Sequence, residues 1–228
     1  MENKLSVIIP VYNEEKTILE VINRVKKLPV RKEIIIVDDF STDGTREILK
    51  KIKDKTISVL FNQKNYGKGY SIRKAIKKAK GNRVVIQDAD LEYNPEEYIK
   101  MIKFMQDNNA QAVFGSRALN KNNPYSYLTY YLGNKFLNII TNLIFSSNVT
   151  DMETCYKLVD AKLLKSLNLK SNRFEIEPEI TAKILKKKIK IYEVPISYNP
   201  RTIKNGKKIR WMDGISAILT LIKYRFID

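Results

Sequence analysis

Two aspartates stand one residue apart near the middle of the chain, directly after a short apolar run. They are Asp88 and Asp90, in the stretch VIQDADLE. The apolar run predicts a buried strand, and side chains two positions apart in an extended segment point to the same side. Paired carboxylates attract a hard divalent cation, Mg²⁺ or Mn²⁺, which keeps coordination positions open for phosphate oxygens. The pair therefore predicts a metal site that could hold a diphosphate.

Other polar residues follow two further apolar runs of the first half. Pro10, Tyr12 and Glu14 follow the first run, and Asp39 follows the second. One acidic residue at a strand end could simply cap a helix. Several that converge on one edge indicate a site, because ligands of open parallel sheets gather at the carboxyl ends of the strands.

The elements that must position these residues are visible as alternating patterns. Short β-branched runs predict strands at Leu5 to Pro10, Glu33 to Asp39, Thr56 to Asn62, Arg83 to Asp88 and Ala110 to Ser116. Amphipathic segments predict helices at Glu14 to Lys27, Thr42 to Ile52, Gly67 to Lys80 and from Pro95 onward. This alternation is typical of an α/β fold with a mostly parallel sheet and helices on both faces.

Composition bounds the class of protein. The chain has 228 residues, which suits a single domain, and a formal net charge of +17. Such an excess fits a polyanionic partner, although many lysines could simply be solvated on helix faces. The chain has no histidine and one cysteine, which excludes histidine-based triads, the usual zinc sites and an internal disulfide. A single cysteine favours a reducing, cytoplasmic compartment.

Five ordered segments carry a resemblance to a known family. SVIIPVYNEE, IIIVDDFSTDGT, NYGKGYSIRKAI, VIQDADLEYNPEE and TDMETCYKLV resemble the family 2 glycosyltransferases of GT-A fold. Within that family the chain is similar to the dolichyl-phosphate mannose synthases and their polyprenyl-phosphate relatives. The resemblance implies one GT-A (Rossmann-like) domain over residues 1–228. Residues 1–116 would bind the nucleotide sugar, and residues 117–228 would form an acceptor-side extension with amphipathic helices.

The resemblance also implies roles on the donor side. Pro10, Tyr12 and Glu14 match the first nucleotide-contacting turn, and Asp39 matches the acid that contacts the base or ribose. Asp88 would lie near the ribose and metal, and Asp90 would be the principal metal ligand. Lys68 lies in a glycine-flanked loop that passes the nucleotide. We expect its two glycines to let backbone amides approach a phosphate, unless the loop is a plain turn before a helix.

Acceptor residues are expected in the second half. Arg117, Arg201, Lys207 and Lys208 match basic positions that the family uses for phosphate groups. Glu177 and Glu179 either face the site or cap a helix. A polyprenyl phosphate is already ionised at neutral pH, so basic residues rank above these glutamates as acceptor determinants. If the acceptor were instead a glycan or another hydroxyl, Glu177 or Glu179 would be the general base.

Two helical segments suggest contact with a membrane. Ser126 to Phe145 carries a narrow stripe of asparagine and threonine opposite a wide apolar face. This pattern fits a helix in the membrane interface, and it fits equally a helix buried against the sheet. Trp211 to Phe226 is also amphipathic. Since the chain stops at Asp228, whereas many relatives continue into membrane spans, we expect at most peripheral association.

Together these features predict an inverting, metal-dependent glycosyltransferase. It would move a hexose from a UDP- or GDP-sugar to a polyprenyl phosphate at the cytoplasmic face of the membrane. A nucleic-acid-binding protein is the alternative from another class. It is disfavoured because no nucleic-acid-binding motif is present and the acidic edge would repel phosphates unless a metal were bound.

Overall fold

The structure is a computed structural model that describes residues 4–124, 127–201 and 211–227. The strands are Leu5–Val11 (β1), Lys32–Asp38 (β2), Ile57–Phe61 (β3), Arg83–Ile86 (β4), Ala112–Ser116 (β5), Lys157–Asp160 (β6) and Ile191–Pro195 (β7). The helices are Ile18–Lys27 (α1), Thr45–Lys50 (α2), Lys68–Ile76 (α3), Glu97–Asp107 (α4), Leu128–Phe145 (α5), Ala161–Ser166 (α6), Ile176–Lys186 (α7) and Trp211–Phe226 (α8).

All these strands form one sheet in the order β3-β2-β1-β4-β6-β5-β7. β6 pairs antiparallel with β4 and β5, and the other pairings are parallel. The predicted mostly parallel sheet is confirmed. β1 lies between β2 and β4, so the chain leaves β1 on one side and returns on the other. Such a reversal opens a crevice at the carboxyl ends of the strands.

The centre of the sheet is covered on both faces. Val7, Ile8 and Ile9 of β1 are fully buried, and Ile8 stands beside Ile35 of β2 and Ile86 of β4. A continuous apolar run, rather than an alternating one, is what a parallel strand between two helical layers requires. β1 therefore holds the loops at its carboxyl end on a rigid support.

The five predicted strands are all present, with small shifts at their ends. β6, α6 and β7 were not predicted. The sequence of β6, KLVD, is short and charged at both ends, and that of β7, IYEVP, carries a glutamate and a proline. Their strand conformation depends on neighbours far away in the sequence, because β6 fills the space between β4 and β5.

Helix α5 turns its polar stripe toward the protein. The Asn138 amide donates to the Thr150 carbonyl and accepts from the Met152 N–H at 2.8 Å, and Thr141 is fully buried. The main contacts of α5 are with α8 and α7, so of the two arrangements that the sequence left open, burial against the sheet is not the one observed. The apolar face is left 49 to 77% exposed, through Leu128, Leu132, Phe136, Ile139 and Leu143.

Helix α8 packs beside α5 and continues this surface. Its buried side includes Ala217, Leu221 and Tyr224, which join Leu137 of α5 in a second small core. Its outer side is 43 to 79% exposed, through Met212, Ile215, Leu219, Ile222 and Phe226. In the described ranges, no helix has both the length and the hydropathy that crossing a bilayer requires.

Candidate functional site

A cavity of about 510 Å³ opens at the carboxyl ends of β1, β2 and β4. It lies where the order of the strands reverses, as expected for a doubly wound sheet. The predicted site residues that line it are Pro10, Tyr12, Glu14, Asp39, Lys68, Asp88, Asp90, Arg117, Glu177 and Arg201. Residues far apart in sequence thus meet at one edge of the sheet.

Asp88 and Asp90 reach the cavity through a turn. β4 ends at Ile86, two residues earlier than the predicted strand, so strand alternation is not what brings the two side chains together. Asp90 Oδ1 instead accepts the backbone N–H of Glu92 at 3.1 Å, which fixes a short turn beyond the strand. Both aspartates nevertheless face the same cavity.

Each of the two carboxylates has its own cation. Lys68 Nζ lies 2.8 Å from Asp88 Oδ1, and Arg201 Nη2 lies 3.1 Å from Asp90 Oδ2. Burial opposes the ionisation of Asp88, but Lys68, Cys155 and Arg201 together outweigh it and lower the pKa of that carboxyl. Burial, with the charges of Asp88 and Glu92, raises the pKa of Asp90. The two acids therefore differ in how readily they lose their protons.

Lys68 belongs to a chain of alternating charges. Its Nζ also lies 3.0 Å from Glu177 Oε1, and Glu177 Oε2 lies 2.7 Å from Nζ of Lys157. Lys157 is buried and also donates to the Met152 and Thr154 carbonyls. Burial opposes the charge of Lys68, yet Asp88 above all raises its pKa. Glu177 is therefore held between two lysines.

Arg201 gathers three carboxylates at the mouth of the cavity. Its guanidinium donates to both oxygens of Glu14 at 3.0 Å and to Asp90, and its Nε lies 3.5 Å from Glu92 Oε1. Its backbone N–H donates to Glu92 Oε1 at 2.8 Å. Arg201 therefore ties the loops after β1 and β4 to the segment after β7.

Asp39 holds the loop that precedes α3. Its Oδ2 accepts the N–H of Gly67 at 2.7 Å, and its Oδ1 accepts the N–H of Tyr66 and the Asn62 amide. The carboxylate still lines the cavity. The sequence predicted that Asp39 lies at the site, but it did not predict that Asp39 anchors this loop.

The glycines of that loop are required by close packing of the backbone. Gly67 has a φ of +100°, and a Cβ there would lie 2.4 Å from the Asn172 carbonyl oxygen. A Cβ at Gly69 would lie 2.6 Å from the Ser171 carbonyl oxygen. Both glycines thus allow the start of α3 to approach the backbone of residues 171–173. This packing agrees with the alternative of a turn before a helix, and the approach of a phosphate stays a prediction.

Left-handed backbone conformations are found in the loops around the cavity. Asn13 follows β1 with a φ of 51°, Phe40 follows β2 with 66° and Leu91 follows β4 with 64°. Asn13 is held by the Thr42 N–H, which donates to its Oδ1 at 2.7 Å. A non-glycine residue in this region costs about 1 kcal/mol or more, and such strain collects at functional sites.

Arg117 connects the main cavity with a second one. It lines both, as does Tyr198, and the second cavity of about 230 Å³ lies against the first turns of α5. The Arg117 guanidinium donates to both oxygens of Asp151 at 2.7 Å and lies 5.1 Å from the centre of the Tyr198 ring. This buried ion pair raises the pKa of Arg117 despite the opposing effect of burial.

Among the predicted residues that the structure describes, Glu179 stands apart from the cavity. Glu179 is fully buried, accepts the N–H groups of Lys170 and Ser171, and lies 3.0 Å from Lys183, so it stabilises α7 and the preceding loop. It does not line the cavity. Lys207 and Lys208 fall outside the described residues.

Four residues of this site were missed from the sequence. Glu92 and Tyr198 surround Arg201, Lys157 holds Glu177, and Glu153 lines the cavity. Glu92 ends the stretch VIQDADLE, and Tyr198 belongs to the segment YNPR. Their closeness in sequence to these motifs was the one signal that could have identified Glu92 and Tyr198. Lys157 and Glu153 showed none beyond their place in TDMETCYKLV.

Asp88 and Asp90 fit a divalent cation by their chemistry. They offer oxygen ligands alone, which suits Mg²⁺ or Mn²⁺. Within the described part of the chain, no cluster of three or more acidic or cysteine side chains is arranged to hold a metal. A pair can suffice, because Mg²⁺ often binds through one or two carboxylates together with water and substrate phosphates.

Comparison with known proteins agrees with this geometry. The family model described as glycosyl transferase family 2 matches residues 6–167. The chain is 32% identical to the UDP-N-acetylglucosamine–dolichyl-phosphate N-acetylglucosaminyltransferase of Methanococcus voltae, over 89% of each chain. It is 28% identical to the low-salt glycan biosynthesis hexosyltransferase Agl6 of Haloferax volcanii, over 86% of this chain and 48% of that relative.

The fold is shared with solved glycosyltransferases. Glucosyl-3-phosphoglycerate synthase from Mycobacterium tuberculosis, in complex with Mn²⁺, UDP and glucosyl-3-phosphoglycerate, superposes with a TM-score of 0.75. That match has 18% identity and covers 99% of this chain and 81% of the other. The predicted GT-A fold is thereby confirmed. With the family model matching most of its length, the chain belongs to glycosyl transferase family 2.

Proposed function

We propose that this glycosyltransferase moves a hexose or an N-acetylhexosamine from a nucleotide diphosphate sugar to a polyprenyl phosphate, with inversion at the anomeric carbon. The observation that carries the proposal is one cavity lined both by acids that suit a metal-bound donor and by a guanidinium. Asp39, Asp88 and Asp90 line this cavity together with Arg117, which also lines a second cavity against α5.

The three aspartates suit the donor. Asp39 lies where a ribose or base would be contacted, and Asp88 with Asp90 would hold Mg²⁺ or Mn²⁺. Such a metal, when bound, neutralises the diphosphate that leaves with the nucleotide. We propose UDP as the nucleotide to test first, because the relative from Methanococcus voltae is named for a UDP-sugar.

Arg117 suits an anionic acceptor. Its Nε and Nη2 bind Asp151, and its guanidinium, a group that favours phosphate, belongs to the lining of both cavities. The glutamates that would serve a hydroxyl acceptor are both engaged: Glu177 pairs with two lysines, and Glu179 lies outside the cavity. A phosphate oxygen already carries negative charge and needs less activation, so this arrangement favours a phosphate acceptor.

The apolar face of α5 and α8 suits a lipid-linked acceptor. Met212, at the start of α8, lines the main cavity, and Tyr127, Tyr130 and Tyr131 of the α5 end line the second one. An isoprenoid chain could therefore leave the cavities along exposed apolar side chains. We propose that this face lies on the cytoplasmic surface of a membrane, as a peripheral contact.

The test is transfer of radiolabelled sugar into organic-extractable lipid. Purified protein receives labelled UDP-N-acetylglucosamine, Mg²⁺ and either a polyprenyl phosphate or a glycan with free hydroxyls. We expect label in the lipid fraction, as a phosphodiester that mild acid releases. If label enters only the glycan, or if no donor among a panel of UDP- and GDP-sugars labels the lipid, the proposal is wrong.

A further inference from the structure

Glu153 stands out among the acids of the main cavity. Its Oε1 is buried, and no hydrogen-bond donor among the described residues reaches that atom. Other acids that line the cavity have partners of their own. Glu14, Asp90 and Glu92 face Arg201; Asp88 and Glu177 face Lys68; and Asp39 accepts backbone N–H groups.

The charged groups around Glu153 are committed elsewhere. Lys157 is bound to Glu177, and Arg117 is bound to Asp151. Burial is the main cause that raises the pKa of Glu153, to about 7, with Glu177 and Asp151 adding to it and Lys157 and Arg117 opposing it. A carboxyl group in this state can exchange a proton near neutral pH.

The proposed acceptor brings a proton that must leave. A phosphate monoester loses its second proton at a pKa of about 6, and a cavity with many carboxylates favours the singly charged form. Lys68, Arg117 and Arg201 line the cavity but already face carboxylates, so they add little net charge to offset a dianion. Once the phosphate becomes a diester, its remaining O–H is strongly acidic and has to be released.

We propose that Glu153 is the proton acceptor for the phosphate group of the acceptor during sugar transfer. The inference rests on the proposed function. An ionised phosphate oxygen forms the bond to the anomeric carbon, the bond from that carbon to the donor diphosphate breaks, and the nucleoside diphosphate leaves with the electron pair. The proton on a second phosphate oxygen passes to the Glu153 carboxylate and then to water.

Alternative proton acceptors in the cavity are less suited. Both oxygens of Glu177 lie within 3.0 Å of lysine Nζ atoms. Asp88 and Asp90 face Lys68 and Arg201. Oε1 of Glu177 is also buried without a hydrogen bond, but it lies 3.0 Å from Lys68 Nζ, whereas Glu153 Oε1 has neither a hydrogen bond nor an ion pair among the described residues.

The experiment compares Glu153→Gln with the wild type in the lipid-transfer assay from pH 5.5 to 9. Glu153→Asp keeps a carboxyl group, and Glu47→Gln, on the exposed side of α2, is the matched control. We expect kcat of Glu153→Gln to fall by about 100-fold, with the KM for the donor unchanged. Its pH profile should lose the inflection near 7, and Glu153→Asp should restore part of the rate and that inflection.

The outcomes separate this inference from the proposed function. If wild type labels the lipid and Glu153→Gln matches it within about threefold with the same pH profile, Glu153 is not the proton acceptor. If Glu153→Gln loses activity but keeps the wild-type inflection near pH 7, while thermal unfolding shows it folded, another group accepts the proton and the inference is again wrong. If wild type labels no lipid at all, the proposed function fails first and the inference falls with it.

Discussion

Most charged side chains that line the main cavity form ion pairs with one another. Lys68 stands between Asp88 and Glu177, and Arg201 stands among Glu14, Asp90 and Glu92. Removing one residue of a buried ion pair leaves the charge of the other without a partner. The resulting loss of folding stability is larger than the stability that the intact pair contributes. Substitutions at Lys68 or Arg201 will therefore lower stability as well as activity, and isosteric changes at unpaired positions are the more informative ones.

Glu153 offers such a position, and its ionisation predicts a pH effect on stability. Its pKa is about 7 in the folded protein against an ordinary 4.5, so the unfolded chain releases this proton first. This acid therefore lowers wild-type stability progressively between pH 4.5 and pH 7 and by a constant amount above that. Glu153→Gln has no proton to release. We expect it to be more stable than wild type at pH 8, by an amount of the order of 2 kcal/mol.

Thermal or urea unfolding at pH 8 and pH 4.5 measures this difference. The two proteins should nearly converge at pH 4.5, where the folded glutamate is protonated and the unfolded one is half protonated. Equal stabilities at both pH values would mean that Glu153 ionises as an ordinary exposed glutamate.

The site residues that the sequence could predict share one property. Asp39, Asp88 and Asp90 follow apolar strands, so strand patterning located them before any contact was known. Glu153 and Lys157 could not be found in this way, because their significance depends on which oxygen or ammonium lies beside them. Burial and pairing are products of long-range packing, as the pairing of Lys157 with Glu177 illustrates.

At the scale of elements, the loop before α3 is held by two close backbone approaches. Gly67→Ala would combine a φ of +100° with a Cβ 2.4 Å from the Asn172 carbonyl oxygen. We expect a loss of about 2 to 3 kcal/mol in the free energy of unfolding, because strain and overlap add. Urea unfolding followed by circular dichroism measures it.

Gly133 provides the matched control for that substitution. It lies inside α5, and a Cβ there would meet no atom within 4 Å. Gly133→Ala should therefore stabilise the protein by about 0.5 to 1 kcal/mol through helix propensity alone. Similar effects of the two alanines would show that Gly67 is a simple loop glycine.

Elements whose conformation depends on their own sequence were predicted well, and features that depend on distant residues were not. β1 and β2 are continuous apolar runs and were placed nearly to their ends. Helix α5 was predicted as a helix, but its orientation was left open, because its polar stripe could face water or the protein. Hydrogen bonds from Asn138 and Asn142 to residues 149–152 decide the question, and no periodicity in the sequence reports them.

At the scale of the whole molecule, the exposed face of α5 and α8 is the feature most unlike an ordinary soluble surface. It joins two apolar stripes, and the same two helices carry Lys135, Lys223 and Arg225 against a single acid, Asp213. Exposed apolar patches rimmed by polar groups mark interaction sites. A basic amphipathic surface is suited to anionic lipid.

Vesicle co-sedimentation tests this surface. We expect the wild type to bind vesicles containing anionic lipid and to bind neutral vesicles more weakly. The double variant Leu143→Ser, Leu219→Ser should bind at least about tenfold more weakly, because each buried leucine contributes roughly 1.5 kcal/mol or more. Leu19→Ser with Ile99→Ser, also exposed apolar residues but on α1 and α4, is the control. Equal losses in both double variants would argue against the α5 and α8 face.

The central claim is that Asp88 and Asp90 bind a nucleotide diphosphate through a divalent cation. Calorimetric titration of UDP with and without Mn²⁺ tests it most directly, in wild type, Asp90→Asn and the exposed control Asp107→Asn. We predict that Mn²⁺ strengthens UDP binding at least about tenfold in wild type and in Asp107→Asn, a coupling of about 1.4 kcal/mol, and has no effect in Asp90→Asn. Equal UDP affinity with and without the metal in wild type, or a full metal effect in Asp90→Asn, would contradict the account.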